Sequence, residues 1–181
     1  MKFYHGDIKT THITKIMQEP LNTPKIQHFF NLLDSFSETR GVSVPQIVQI
    51  EKLSSLPEGT FGRTWADFLN QNNLEPLTTG MRRKQLHDGI HVITGYGSDL
   101  IGEAEVQAFL LGAKFGLLNL FIGIGLLRTI RKRLPNETKV ARERMWKAYQ
   151  RGQNCNFNPD TWEPELLWDL PLNEVRGRFC V

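Results

Sequence analysis

From Ala104 to Leu127 the chain is apolar almost all the way round a helix, interrupted only by Glu105, Gln107, Lys114 and Asn119. A segment of that kind needs cover on every side, from other helices or from a membrane. About 20 apolar residues suffice to span a bilayer, but a lysine and an asparagine are costly inside it. The ordinary expectation is therefore a central core helix. Its glycines, Gly112, Gly116, Gly123 and Gly125, would leave a groove that a linear apolar ligand could fill, and this is compatible with a core position.

The remaining helical signals are shorter and supply that cover. Residues 1–22 show no period and read as an irregular lead-in. Thr23-Pro24 reads as a helix start, with proline where its missing N–H does no harm, and Ile26, Phe29, Phe30, Leu33 and Phe36 follow at helical spacing. Ser43 is the expected cap of a second helix carrying Val44, Ile47, Val48 and Leu53. Thr60 is the expected cap of a third, with Phe61, Trp65, Phe68 and Leu69 on one side, ending at Asn72-Asn73. A fourth starts between Thr78 and Arg83 and is interrupted by Gly95-Tyr96-Gly97. Ser98 then caps the apolar helix, with Asp99 in its first turn. Pro135-Asn136 opens a last long helix to about Gln150, with Val140, Met145, Trp146 and Tyr149 as its apolar positions. The segment from Asn154 to Pro171 is an aromatic loop, and a short turn follows it. No β-alternation of useful length and no internal repeat is present. The reading is all-α, a single-domain helical bundle over residues 23–181.

Charge and cysteine content narrow the function classes. The net charge of +3 is too mild to argue for nucleic acid. Locally it is uneven: from Arg128 to Arg151 nine basic residues face only Glu137 and Glu143. That stretch is either a solvated face balanced by the acidic tail or a basic surface for anionic lipid. Two cysteines, Cys155 and Cys180, build neither a disulfide framework nor a cysteine-based zinc site, as in a reducing compartment. The start of the chain has no apolar h-region and no Arg-rich amphipathic face, so no targeting segment is expected.

The densest chemistry lies between Gln85 and Gln107, where His87, Asp88, His91 and Glu103 are all potential metal ligands. His87 and His91 are four apart, so they share one helix face a turn apart and can share one ion. Asp88 borders that face. On a straight helix Glu103 would lie about 18 Å from His91, at ~1.5 Å per residue, so its participation requires a sharp bend at the glycines. Two histidines and a carboxylate suit zinc, while carboxylate plus water would admit magnesium or manganese. A metalloprotease pattern wants glutamate directly after the first histidine, where this chain has the shorter Asp88. A helical His-Asp phosphohydrolase would need further ligands, for which His28, Asp34 and Asp67 are candidates.

The segment HDGIHVITGYGSDLIGE fits H-D-x-x-H, eleven residues, then E. In this it resembles the signature of the coenzyme Q biosynthesis protein Coq4 family. LPEGTFGRTWADFL, from Leu56 to Leu69, is similar to the family's PEGTLGR segment. Trp146, Ala148 and Gly152 resemble its W-A…G stretch, and WEPELLWDLPLNEVRGRF, from Trp162 to Phe179, resembles its ending. The resemblance covers about residues 56–179. The chain departs from the family by carrying Gly89-Ile90 between the histidines, where aromatic residues are typical.

The resemblance implies an all-α fold and a divalent metal, zinc first and magnesium second, held by His87, Asp88, His91 and Glu103. It implies polyprenylated aromatic quinone precursors as ligands, peripheral membrane association, other quinone-biosynthesis proteins as partners, and a ring decarboxylation at C1, with Asp88 completing the metal shell or orienting a water. The membrane face expected is the cytoplasmic one, and a homo-oligomer is expected. An isoprenoid tail needs an apolar lining, for which Phe109, Phe115, Leu118 and Phe121 are the expected residues. Each buried CH2 contributes about 0.8 kcal/mol, enough for a tail to dominate affinity. A non-enzymatic lipid carrier is the alternative reading.

Overall fold

The computed structural model describes residues 43–181. The irregular lead-in, the helix expected from Thr23 to Gly41, and the candidates His28 and Asp34 lie outside those residues. Among the described residues the chain is all helical, with no strand and one isolated bridge between Thr60 and Pro171. The helices are α1 (Ile50–Ser54), α2 (Phe61–Gln71), α3 (Arg82–Gln85), α4 (His87–Thr94), α5 (Leu100–Ala113), α6 (Leu117–Arg133), α7 (Thr138–Gln153) and α8 (Leu172–Phe179). Short 3-10 turns occupy Pro135–Glu137 and Pro164–Leu166.

α5 is the central element, packed on α7 and α6 and touching α4. It is not continuous with α6. Lys114 and Gly116 are both extended, so the helix expected over Ser98–Leu127 is two helices. Lys114, an awkward residue for a span or a core, sits at this break and pairs with Asp160. Among the described residues no helix is long and apolar enough to cross a membrane.

α5 and α7 approach at backbone distance. A Cβ at Gly112 would lie 2.1 Å from the Tyr149 carbonyl oxygen, and one at Gly152 would lie 2.1 Å from that of Phe109. Gly112 is thus filled by a neighbouring helix and leaves no groove, contrary to the expectation from sequence. The buried side of α7 is Ala141, Ala148 and Gly152. Val140 and Trp146, expected inward, are exposed. Small residues win this face because they let the helix axes come close, and Arg144 then reaches the buried Glu105 with two nitrogens.

Thr60 caps α2 as expected, accepting from Arg63 N, and Phe61, Trp65 and Leu69 are fully buried beneath it. The second helix begins only at Ile50. Pro45 disfavours helical backbone at Val44. Tertiary bonds hold the segment extended instead: Val44 N donates to Gly80 O at 3.0 Å, and the buried Gln85 side chain brackets Ile47 N and Val44 O. The aromatic loop lines the core rather than the surface, with Phe157, Trp162 and Trp168 all buried.

Candidate metal centre

The histidine pair stands on α4, a helix of two turns fixed at both ends. It follows a break at Leu86 and ends on Gly95, whose φ of 77° is the left-handed conformation glycine adopts freely. Its last carbonyls are held by two arginines from distant elements. Arg176 of α8 donates to Val92 O and Ile93 O, each at 2.9 Å, and Arg151 of α7 donates to Thr94 O at 2.7 Å. Neither arginine was singled out as a site residue from sequence, because long-range capping leaves no local pattern.

The bend demanded by Glu103 is present. Asp99, rather than Ser98, caps α5, accepting from Ile101 N at 2.8 Å and Gly102 N at 2.9 Å. Ser98 instead bonds Asn72 Oδ1. Gly102 lies directly on Gly97, which seats the first turn of α5 against the turn that leaves α4. Glu103 is the next residue, and its carboxylate reaches both imidazoles. Glu103 Oε2 is 3.1 Å from His87 Nε2, and Oε1 is 3.2 Å from His91 Nε2. The two Nε2 atoms are 3.2 Å apart.

His87, His91 and Glu103 therefore form a group that could hold a metal ion, with their ligand atoms all within 4.8 Å of one another. The tautomer of His91 fits that use. Its Nδ1 faces the carbonyl oxygens of Gly97 at 3.0 Å and Tyr96 at 3.3 Å, which only accept, so Nδ1 carries the hydrogen. In the neutral ring Nε2 is then the lone pair, turned into the group. A backbone carbonyl holding the far nitrogen is the usual support for a ligating histidine. Phe68 stacks on the same ring and fixes its plane.

Electrostatics bind the three together without an ion. Burial opposes charge on His87, but Glu103 beside it outweighs this and lifts the imidazole to about 9. Burial also opposes charge on Glu103, yet the two histidines hold its carboxyl well below the usual range. Asp88 behaves differently. Burial raises its pKa, the histidines lower it, and the net direction is upward. It is buried beside the group, but its oxygens are not part of the convergent set of three. His91 is only 1% exposed, whereas His87 and Glu103 keep 15% and 20%, so one side stays accessible to a ligand.

The other candidates are distributed differently. Asp67 pairs with Arg63 at 2.9 Å along α2 and is not part of the group. Phe109 is fully buried among Tyr96 and Phe157 and offers no lining, which corrects the expectation for it. Phe115 lines a groove between α5, α6 and α7, while Leu118 and Phe121 are exposed on α6. Gly89 lies under Trp65 and Trp162, where a Cβ would meet the Trp65 ring at 2.4 Å. The two tryptophans leave no room for a side chain there.

The family model described as coenzyme Q (ubiquinone) biosynthesis protein Coq4 matches residues 38–181. The chain belongs to the Coq4 family. It is 31% identical over 148 residues to the mitochondrial ubiquinone biosynthesis protein COQ4 homolog of Rattus norvegicus, covering 74% of this chain and 55% of that protein. It is 30% identical over 141 residues to the mitochondrial COQ4 of Saccharomyces cerevisiae strain S288c, covering 67% of this chain and 40% of that one. The chain thus spans about half the length of the curated relatives it matches. A crystal structure from Nostoc punctiforme PCC 73102, of a protein assigned to ubiquinone biosynthesis, has the same fold. Its TM-score is 0.63 at 22% identity, over 75% of this chain and 69% of that one.

Proposed function

We propose that this Coq4-family chain acts in ubiquinone biosynthesis by binding the polar head of a prenylated aromatic precursor at a metal held by His87, His91 and Glu103. The observation that carries the reading is the convergence of these three side chains across the Gly95–Gly97 turn. Two imidazoles and a carboxylate suit zinc, and magnesium is the second candidate. Such an ion would supply Lewis acidity, stabilising negative charge on a carboxylate or phenolate oxygen.

The chain's own residues define the rest. His91, locked by Gly97 and Phe68, presents a fixed lone pair. Asp88 is the candidate catalytic residue, because it is buried directly beside the group and borders the histidine face. In C1 decarboxylation the ring–carboxylate bond breaks, carbon dioxide leaves, and the ring carbon takes a proton, which Asp88 would hold. Phe115, Leu118 and Phe121 are the proposed contacts for the isoprenoid tail, and their exposure, at the break before α6 and on its first turns, supports peripheral attachment to a membrane. That exposed apolar face also favours a second reading, a lipid carrier that docks the head without turnover.

The test is to load the purified protein with zinc and incubate it with a carboxyl-labelled prenylated hydroxybenzoate. Labelled carbon dioxide that disappears in Asp88→Asn supports the enzyme. Tight binding with no release supports the carrier and removes the decarboxylase reading.

A further inference from the structure

Two arginines hold the end of α4, and each is followed one helical turn later by a cysteine: Arg151 by Cys155, and Arg176 by Cys180. Both thiols are free. The two cysteines meet at one joint, where Asn156 N donates to Phe179 O at 2.9 Å. That bond links the peptide group between Cys155 and Asn156 to the peptide group between Phe179 and Cys180. Both peptides are trans, so Cα of Cys155 lies on the N–H side of its peptide and Cα of Cys180 on the carbonyl side of its own. The two Cα atoms therefore flank a single hydrogen bond, a separation of the order a disulfide needs, about 4.4–6.8 Å. Asn156 Nδ2 also reaches Cys180 Sγ, at 3.7 Å. The thiols sense each other: burial pushes the Cys155 thiol up, and charge on Cys180 adds to the rise. Cys180 has a φ of 57° and a ψ of 38°, the left-handed conformation at a helix end that ordinarily falls to glycine. A side chain kept there against the preference of the backbone points to a use for that side chain.

We propose that Cys155 and Cys180 are a reversible modification site, closed into a disulfide by a small-molecule disulfide such as glutathione disulfide, and that the bond fastens the two arginine supports of α4 to each other. Cys180 is exposed and meets the oxidant first, whereas Cys155 is half-buried. The Cys180 thiolate attacks one sulfur of glutathione disulfide, and a glutathione thiolate leaves. The Cys155 thiolate then attacks the Cys180 sulfur, and the second glutathione leaves. The two cysteine sulfurs lose two electrons, the oxidant gains them, and the two thiol protons pass to the departing thiolates. The present bonds of the thiols, from Cys155 Sγ to Gly152 O at 3.0 Å and from Cys180 Sγ to Gly177 O at 3.8 Å, are weak ones that a side-chain rotation releases. Closure ties the end of α7 to the end of α8 just beyond the residues that hold the Val92, Ile93 and Thr94 carbonyls. The bond forms or fails independently of the metal reading.

The reduced full chain is incubated with excess glutathione disulfide and read by intact mass and peptide mapping. The wild-type chain should lose two hydrogens, carry no glutathione, and yield one peptide pair joined through Cys155 and Cys180 that dithiothreitol reopens. Cys155→Ser should stop at a single glutathione on Cys180. Cys180→Ser should react roughly tenfold or more slowly, because only the half-buried thiol is left. Hydrogen exchange in the last turn of α4 should slow by roughly threefold or more when the wild-type chain is oxidised, and stay unchanged in both serine variants. Thiols that stay free, glutathione retained on both cysteines, chains joined to one another in place of an internal bond, or an internal bond that leaves α4 exchange unchanged would each overturn the proposal. All four outcomes are read on the wild-type chain, so the test stands even if a serine variant fails to fold.

Discussion

Gly102 rests on Gly97 so closely that a Cβ at position 102 would lie 1.9 Å from the Gly97 carbonyl oxygen. The same carbonyl accepts the Nδ1 hydrogen of His91. One peptide group thus sets both the orientation of a histidine and the height of the helix that delivers Glu103. The expected effect of Gly102→Ala is a loss of about 1–3 kcal/mol from overpacking, with metal affinity falling roughly tenfold or more as the support of His91 shifts. Denaturant melts and a competitive zinc titration measure the two effects.

Protons and metal compete for His87. Its folded pKa of about 9 stands above the ordinary 6.5, so the metal-free protein carries the proton at pH 7. A raised folded pKa stabilises fully below the unfolded value and is lost as pH rises through the folded one. The metal-free protein should therefore lose about 1–3 kcal/mol between pH 6.5 and 9. His87→Gln should flatten that slope. Zinc binding at pH 7 should release close to one proton from His87, read by calorimetry in buffers of different ionisation enthalpy.

Arg176 is the expected weak point outside the group. It alone satisfies two carbonyls at the end of α4. Replacing it with alanine leaves those carbonyls seeking water, at about 1–3 kcal/mol for charged hydrogen bonds lost. Hydrogen exchange should show α4 opening first, while α5 and α7 keep their protection.

Glycines on the two sides of the bundle should respond with opposite signs. Gly152→Ala places a methyl 2.1 Å from the Phe109 carbonyl oxygen and forces α5 and α7 apart. A cost of at least about 1–3 kcal/mol is expected. Gly125 has nothing within 4 Å of its Cβ position. Alanine there should stabilise α6 by about 0.5–1 kcal/mol through helix propensity. Thermal melts of the two variants side by side decide the point.

Much of this architecture could be read from the chain before its coordinates. Thr60 as a cap, the core side of α2, the stop at Gly95 and the need for a bend before Glu103 all follow from local chemistry or fixed helical geometry. The misreadings share one cause. The break at Lys114, the small-residue face of α7, the burial of Phe109 and the late start of α1 depend on what another segment places alongside. Ser98 was the expected cap with Asp99 in the first turn, but Asn72 engages Ser98 and Asp99 takes the cap instead. The arginines that hold α4 come from 57 and 83–84 residues away, beyond the reach of any periodicity.

The central claim is that His87, His91 and Glu103 together hold one metal ion. Elemental analysis after dialysis against trace zinc tests it most directly, on the wild-type chain and on His91→Ala and Glu103→Ala, with circular dichroism to show that each is folded. The account predicts close to one ion per wild-type chain and almost none in either variant. Wild-type metal content in folded His91→Ala or Glu103→Ala would contradict it.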